Sequence, residues 1–293
     1  MAFTLKIQSK TLFGNKKVDF EQLLRNCGLN YGHDNEFYIL EDGMQEETAI
    51  LYNPRRIGRG IFFDGRGLKE GKVEISYNIP TTEAEIADFI NVVKELNRQM
   101  KKTEMFCEEE ARKYTLEQLI ANKENMVQFS LEKLNEFCAN EEYASYILTL
   151  AYWPLELSDE MVQTFANCTD LSEFEQTLHM KQSMDVYYAK PRFYRKENGE
   201  IFANYVITED CESIFPIKAD AYFCTNKIEI SEGRICYYIF SEERILDGAY
   251  DYDKFIQYVM NKGAEYYDKS HIIVPAMSKE QMEEMAKATV CGI

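Results

Sequence analysis

The sequence predicts an α+β fold, with largely antiparallel sheets and with helices segregated into separate blocks of the chain. Two observations carry this prediction: alternating polar and apolar runs between turn signals, and apolar residues at helical spacing behind capping residues. The 293 residues, 45% hydrophobic and 28% charged, are typical of a soluble globular protein of about two domains.

The first elements are a strand, a short helix and a set of strands. An alternating strand over residues 1–7 and a turn at Gly14 and Asn15 precede a helix that Asp19 is placed to cap. Four strands are then predicted, over residues 36–40, 48–52, 59–63 and 72–79. Glycine, proline and acidic turn residues separate them, as expected for an antiparallel arrangement.

The strongest helix signal follows these strands. Thr82 and Glu85 form a capping box ahead of apolar residues with i, i+3, i+4 and i+7 spacing. Those apolar residues are Ile86, Phe89, Ile90, Val93, Leu96 and Met100. A second box, Thr115 with Gln118, predicts another helix that continues to Cys138.

A β-rich run and two short helices come next. The run over residues 146–153 is stopped by Pro154, which restricts the preceding residue to extended geometry. Ser158 caps the first short helix, and Asp170 with Glu173 opens the second.

The last part of the chain is again strands followed by helices. Strands are predicted from residue 184 to residue 240, with Asn198 and Gly199 marking a type I′ hairpin turn. A helix is expected over residues 253–261, and a final one after Ser278, boxed by Gln281.

Two stretches of the sequence are similar to each other. Residues 70–73 (Glu-Gly-Lys-Val) match residues 232–235 (Glu-Gly-Arg-Ile), and residues 88–93 match residues 254–259 at a similar offset. Two explanations stay open, an internal duplication and chance similarity of common strand and helix patterns. The predicted halves are an N-terminal α+β half, residues 1–140, and a closely packed C-terminal α+β half, residues 141–293.

The charge balance excludes some partners. The chain has 33 basic and 50 acidic residues and a net charge of −17. This charge repels phosphate backbones and anionic membrane surfaces, so neither general nucleic-acid binding nor membrane binding is expected. It favours a basic protein partner.

The cysteines and the chain start indicate a cytoplasmic protein. Eight cysteines are dispersed and none has C-x-x-C spacing, so we predict reduced thiols, mostly small buried residues, in a reducing compartment. The first residues alternate in polarity rather than forming a secretory signal, and no apolar run approaches the roughly 18 residues that span a bilayer. No cofactor is predicted.

One basic segment, residues 53–72, departs from the acidic background. It has six basic and two acidic residues and two Gly-Arg-Gly triplets. Guanidinium groups beside flexible backbone N–H groups are what an anion site requires, so Arg55, Arg59 and Arg66 are the candidate ligand-binding residues. In the alternative, the glycines form turns and the arginines pair with nearby carboxylates. RNA binding is a third, minor possibility, which the acidic charge disfavours.

No catalytic or metal-binding constellation is evident. The sequence has no Gly-x-Ser-x-Gly elbow, and His33, His179 and His271 lack the spacing of zinc ligands. Structural roles are expected for all three histidines, so no catalytic residue is assigned and an enzyme is not favoured.

Two further groups of residues, one acidic and one aromatic, are candidates for binding sites. Asp247, Asp251 and Asp253 lack the order of an EF-hand loop, and helix capping explains Asp251 or Asp253 better. The strands of the second half are rich in tyrosine and phenylalanine, including Tyr187, Tyr188, Phe193, Tyr194, Phe202, Tyr205, Tyr222, Phe223, Tyr237, Tyr238 and Phe240. We expect these residues to be mainly sheet core, with a binding face as the alternative.

Three segments carry a resemblance to a known family. They are residues 12–14 (Leu-Phe-Gly), residues 50–54 (Ile-Leu-Tyr-Asn-Pro) and residues 57–61 (Ile-Gly-Arg-Gly-Ile). With the total length, they resemble a bacterial family of uncharacterised proteins, domain of unknown function 4299. The resemblance implies a whole-chain unit in a cytoplasmic bacterial protein and supplies no catalytic residue.

The leading functional hypothesis is a non-enzymatic, acidic protein-interaction module. It rests on the absence of a catalytic constellation and on a charge that would steer a basic partner. The alternative is a binding protein or enzyme for a small anionic ligand that uses residues 53–72. A third hypothesis is a homo-oligomer whose interface is the aromatic sheet face.

Overall fold

The computed structural model describes residues 1–10, 18–101, 103–220 and 228–291. The chain forms two compact units, Met1–Ser183 and Met184–Ile293. The turn predicted at Gly14 and Asn15, the first family-like segment at residues 12–14, and Cys224, Tyr222 and Phe223 lie outside the described residues.

The division between the units falls later than the sequence placed it. The predicted halves meet after residue 140, whereas the first unit extends to Ser183. Hydrogen bonds hold the intervening segment to the first unit: the backbone N–H of Ala151 donates to the carbonyl of Gly58 (3.2 Å). Gln182 Nε2 donates to the same carbonyl (2.8 Å).

The first unit is built mainly on one large sheet. Its elements are β1 (Ala2–Ser9), α1 (Phe20–Cys27), β2 (Asn30–Asp34), β3 (Leu40–Asp42), β4 (Thr48–Tyr52), β5 (Ile61–Asp64), β6 (Lys72–Asn78), α2 (Glu83–Met100), β7 (Thr103–Cys107), β8 (Arg112–Tyr114), α3 (Leu116–Ala121), α4 (Lys123–Ala139), β9 (Ile147–Thr149), β10 (Pro154–Glu156), α5 (Asp159–Ala166) and α6 (Ser172–Gln182). In the part of the chain that the structure describes, eight strands form an antiparallel sheet in the order β3-β2-β4-β5-β6-β1-β7-β8. Strands β9 and β10 pair separately.

Alternation along the strands gives this sheet a core face. Leu5 of β1 pairs with Ile75 of β6, and both are fully buried. Phe89 and Leu96 of α2 belong to the same buried cluster, so the predicted apolar face of α2 covers this side of the sheet.

Several helix starts in the first unit follow the predicted caps, but the start of α6 does not, because its N-cap is Leu171 and not the predicted Asp170. The Asp19 side chain accepts a hydrogen bond from the backbone N–H of Gln22 at the start of α1. The capping box of Thr115 and Gln118 is complete, but the single helix predicted after it is two helices: α3 ends at Ala121, and α4 begins at Lys123 after the shared cap residue Asn122. These N-cap predictions are confirmed because they depend only on local hydrogen bonds.

The strand predicted over residues 36–40 is wrong. Strands β2 and β3 lie on either side, and the intervening residues turn sharply, with Tyr38 at a φ of 57°. The cause is the Asn35 side chain, whose oxygen accepts from the backbone N–H groups of Phe37 (2.8 Å) and Ile39 (3.2 Å). Such an Asx turn competes with an extended strand.

Helix α2 also contains a buried carboxylate with several donors. Glu95 Oε2 accepts from Arg98 Nε (2.7 Å), and Glu95 Oε1 accepts from Gln99 Nε2 (2.8 Å) and Asn26 Nδ2 (3.1 Å). The hydrogen bond from Arg98 is the main cause that lowers the pKa of Glu95 to about 2.

We expect Glu95→Gln to remove part of the acid sensitivity of the first unit. The depressed pKa of Glu95 contributes roughly 2 kcal/mol to the free energy of unfolding above pH ~4.5, and this is lost as pH falls towards ~2. Denaturant unfolding from pH 7 to pH 2, followed through the single tryptophan, Trp153, measures the loss. The difference between wild type and variant should shrink on acidification, whereas Glu36→Gln, an exposed carboxylate, should behave like wild type throughout.

The described residues of the second unit form two smaller sheets. Its elements are β11 (Tyr187–Tyr188), β12 (Arg192–Arg195), β13 (Ile201–Thr208), β14 (Ser213–Pro216), β15 (Glu232–Ile239), β16 (Arg244–Ile245), β17 (Tyr250–Asp251), α7 (Tyr252–Asn261), β18 (Glu265–Tyr266), β19 (His271–Val274) and α8 (Lys279–Thr289). One sheet has the order β12-β13-β15-β16, with β17 also paired to β15, and the other has the order β11-β14-β19-β18. The pairs β13–β15 and β11–β14 are parallel and the other pairs are antiparallel. The predicted α+β class with largely antiparallel sheets is confirmed.

Helices α7 and α8 cover one face of the β12–β16 sheet. Tyr237 of β15 is fully buried, and its hydroxyl shares a 2.7 Å hydrogen bond with the hydroxyl of Thr289 in α8. Tyr205 and Phe255 belong to the same buried cluster. The prediction that most aromatic residues are sheet core therefore holds for this face.

Two details of the second unit differ from the sequence predictions. The hairpin between β12 and β13 is present, but in that loop the positive φ is at Gly199 (90°), whereas a type I′ turn needs two such residues. The matched segments at residues 70–73 and 232–235 lead into differently connected strands: β6 has antiparallel neighbours, whereas β15 pairs in parallel with β13. The internal duplication stays one of the two open explanations.

Candidate functional site

The basic segment, residues 53–72, runs from the end of β4 through β5 to the start of β6. Arg59 precedes β5 and Arg66 follows it, so a strand of about 3.3 Å per residue separates them. Arg55 lies in the turn after β4. The three candidate arginines line three different cavities, and the structure does not bring them together.

Arg66 is paired with a carboxylate next to it in sequence. Its Nε donates to Asp64 Oδ1 (3.0 Å), and Nη2 contacts Asp64 Oδ2 closely. Arg66 is exposed, so this is a surface ion pair of small energetic value. The alternative in which the arginines pair with carboxylates describes Arg66 well.

Arg55 lies on the surface. Its backbone N–H donates to Asn53 Oδ1 (3.1 Å), but its guanidinium has no hydrogen-bond or ion-pair partner among the described residues. It lines an open groove of about 720 Å³ together with Arg25 and Tyr52.

Arg59 is held entirely by neutral acceptors. Nε donates to the Thr149 carbonyl (3.0 Å), Nη1 donates to the Pro80 carbonyl (2.9 Å), and Nη2 donates to the Thr149 hydroxyl (3.3 Å). Burial lowers the pKa of Arg59 to about 10, and the charge of Glu85 opposes this effect. Arg59 therefore stays cationic at neutral pH, although no carboxylate of the described residues contacts its guanidinium.

Glu85 fixes the loop that carries Arg59. It is buried at the start of α2, and its Oε1 accepts from the Gly60 backbone N–H (2.5 Å) while Oε2 accepts a short bond from the Thr81 hydroxyl. Burial raises the pKa of Glu85, whereas the bonds from Thr81 and Gly60 act in the opposite direction. The predicted capping box is thus half formed: Thr82 accepts from the Glu85 N–H, but the Glu85 carboxylate binds the loop instead.

The glycines beside Arg59 are required for close packing. A Cβ on Gly58 would lie 2.9 Å from Glu85 Oε1, and one on Gly60 would lie 2.4 Å from Ile50 Cγ2. Gly60 also has a φ of 87°. The glycines of the first Gly-Arg-Gly triplet therefore allow the loop that carries Arg59 to pack closely against Glu85 and Ile50.

A cavity of about 280 Å³ lies beside Arg59 on the sheet face opposite the core. Its lining residues are Asp34, Tyr38, Ile50, Arg59, Gly60, Phe62, Ser76, Tyr77, Asn78, Thr149, Leu150 and Ala151. The sheet order β2-β4-β5-β6 brings these residues together, and no local sequence signal marks Asp34 or Tyr38 as part of a site.

The second unit has an exposed sheet face. For the aromatic strands, the sequence analysis gave a binding face as the alternative to sheet core. This outer face is the side of the β12–β16 sheet opposite its buried face, and its side chains are partly or fully exposed. It consists of Arg192, Tyr194, Phe202, Asn204, Val206, Glu232, Arg234, Cys236, Tyr238 and Ile245. The rings of Tyr194 and Phe202 stack at 5.4 Å, and the Arg234 guanidinium lies 4.2 Å from the Phe202 centroid.

One end of the outer face is apolar. Tyr238 pairs with Ile245 across the strands, and the ring centroids of Tyr238 and Phe240 are 6.4 Å apart. Phe240 is 67% exposed and Ile245 is 56% exposed. We call Tyr238, Phe240 and Ile245 the apolar end.

The histidines have structural contacts. His179 Nδ1 accepts from the Ile57 backbone N–H (3.2 Å) and thus ties α6 to the basic segment. His271 is buried, with Nδ1 3.0 Å from Asp268 Oδ1 and Nε2 2.9 Å from the Tyr188 hydroxyl. His33 Nδ1 lies 3.4 Å from a backbone carbonyl. These contacts support the structural roles expected for them.

A family model identifies the family to which this chain belongs. The family model described as Domain of unknown function (DUF4299) matches residues 2–285. The chain belongs to the DUF4299 family. The resemblance found in the sequence is confirmed, and the match runs through both compact units of this DUF4299 chain. No curated protein and no solved structure matches it. Across the described ranges, no helix combines the length and apolar character needed to cross a membrane.

Proposed function

We propose that this protein is a non-enzymatic protein-interaction module that binds a basic, amphipathic segment of a partner protein at the apolar end. The exposure of Phe240 and Ile245 on one sheet face is the observation that carries the proposal. Adjacent large apolar side chains exposed to water are typical of interaction sites because burying them on binding is favourable.

The charges around the apolar end favour a basic partner. Glu209 accepts hydrogen bonds from Ser241, and Glu242 pairs with both Lys279 and Arg244, so both carboxylates lie beside the apolar end. Glu243 follows them in the same turn and has no ion-pair partner among the described residues. Together with the net charge of −17, these carboxylates would steer a lysine- or arginine-rich segment to the apolar end.

The alternative function, a small anionic ligand clamped by Arg55, Arg59 and Arg66, has less support. The three guanidinium groups line separate cavities, and Arg66 is already paired with Asp64. A single small anion needs converging donors, and this segment does not provide three.

Photo-crosslinking tests the interaction. A benzophenone amino acid is placed at position 240 in cells and, as a matched control, at Tyr266, another exposed aromatic (66%) in the second unit. We expect position 240 alone to capture a partner, and the crosslinked peptide to be basic and amphipathic. A second copy of this chain as the only adduct, or the same adducts from both positions, would contradict the proposal.

With the captured partner purified, Phe240→Ser combined with Ile245→Ser is expected to weaken binding at least ~10-fold, because two buried anchors are lost. Tyr266→Ser should leave the dissociation constant unchanged. Titration calorimetry at low and high salt should also show weaker wild-type binding as salt screens the acidic rim.

A further inference from the structure

The cavity beside Arg59 has unused hydrogen-bonding capacity. A guanidinium has five N–H donors, and Arg59 uses three of them in the contacts to Thr149 and Pro80. One donor on Nη1 and one on Nη2 are left. Since no carboxylate lies within 4.0 Å of this guanidinium among the described residues, its charge lacks a direct counter-ion at the cavity wall.

Other polar side chains of the cavity are also unpaired. Asp34, Tyr38, Ser76 and Asn78 line it, and their side chains make no hydrogen bond to another described residue. Asp34 comes from β2, Tyr38 from the Asx turn, and Ser76 and Asn78 from β6, so the fold assembles a polar lining from separate parts of the chain. Polar groups that converge on a cavity beside apolar side chains are a recognised feature of binding sites.

Among the described residues that line the cavity, the charged groups are one cation and one anion. Arg59 supplies the positive charge and Asp34 supplies the negative charge, with no ion pair between them within 4.0 Å. A simple anion would be attracted by Arg59 but repelled by Asp34. A simple cation would be attracted by Asp34 but repelled by Arg59. A molecule with both charges is complementary to both side chains.

We propose that this cavity binds a small zwitterion of the α-amino acid class, with its carboxylate at Arg59 and its ammonium group at Asp34. The volume of about 280 Å³ is just below the range of roughly 300–1,000 Å³ that holds drug-sized ligands, which suits a ligand as small as an amino acid. Ile50 and Phe62 form an apolar wall that can accept an apolar side chain. This site is in the first unit and is independent of the apolar end.

A thermal-shift and calorimetry screen of the full chain tests the site. The probes are the individual proteinogenic amino acids, with acetate, ethylamine and inorganic phosphate as single-charge controls. We expect at least one amino acid with an apolar side chain to raise Tm and bind with a measurable Kd, whereas the single-charge probes have no effect. Stabilisation by acetate or phosphate equal to that by any amino acid would overturn the proposal, and so would the absence of any shift at millimolar concentration.

Asp34→Asn is the decisive variant. Asp34 is exposed and has no partner among the described residues, so the substitution should leave folding intact. It removes the charge that faces the ammonium group and should weaken amino acid binding at least tenfold. Asp42→Asn, which changes an exposed aspartate that lines a different cavity, is the matched control and should bind like wild type. Equal affinity of wild type and Asp34→Asn would contradict the assignment, even if Arg59 variants fail to fold.

Discussion

Replacing Phe89 with alanine is expected to lower the free energy of unfolding of the first unit by about 3–5 kcal/mol. Phe89 is fully buried, and its ring meets the rings of Phe3 (5.8 Å) and Tyr77 (5.0 Å) edge-on. Truncation removes these contacts and leaves a cavity between α2 and the sheet, which a packed core cannot close. The loss is measured by urea unfolding followed through Trp153, the single tryptophan, which lies in this unit.

Phe129→Ala is the matched control for Phe89→Ala. Phe129 lies on α4 and is 40% exposed, so the same truncation should change the unfolding free energy by no more than about 1 kcal/mol. Equal destabilisation by the two variants would show that the apolar face of α2 does not pack as described.

Glu85→Ala is expected to destabilise the first unit by about 3 kcal/mol. The variant leaves the Gly60 N–H and the Thr81 hydroxyl buried without their acceptor, and it removes the negative charge that favours the cationic form of Arg59. The free energy of unfolding is again followed through Trp153 fluorescence in urea.

Glu83→Ala controls for the loss of a carboxylate from the same helix end. Glu83 is exposed and pairs with Lys123 at 2.7 Å, a contact that contributes about 0–1 kcal/mol. A small effect for Glu83 and a large one for Glu85 would match the buried network. Similar small effects for both variants would mean that Glu85 does not hold the loop of Arg59.

The candidate site was predictable only in part. The first Gly-Arg-Gly triplet singled out Arg59 as a ligand-binding candidate, and Arg59 lines a cavity; its binding of a ligand stays a prediction. The other two candidate residues of the predicted site, Arg55 and Arg66, line different cavities, because Arg55 lies in the turn after β4 and Arg66 lies beyond β5. Asp34 and Tyr38 were not marked as site residues, because Asp34 ends β2, Tyr38 lies in the Asx turn at Asn35, and only the sheet order brings them to Arg59.

The sequence by itself determined the local structure and the composition-dependent properties of this protein. The N-caps at Asp19, Ser158 and Ser278 and the apolar stripe of α2 are encoded within a few residues, because capping and helical periodicity act over one or two turns. The net negative charge and the segments that resemble the family can also be identified from the sequence alone.

Only the tertiary structure decided which strands are neighbours, where the units divide and which side chains meet. The parallel pairing of β13 with β15 and the cavity at Arg59 join residues far apart in sequence. The Glu85 carboxylate shows the reason: it leaves the local capping box to bind the backbone of Gly60, because a buried N–H must find an acceptor wherever the fold supplies one. Such long-range contacts depend on the whole packing and leave no periodic trace in the sequence.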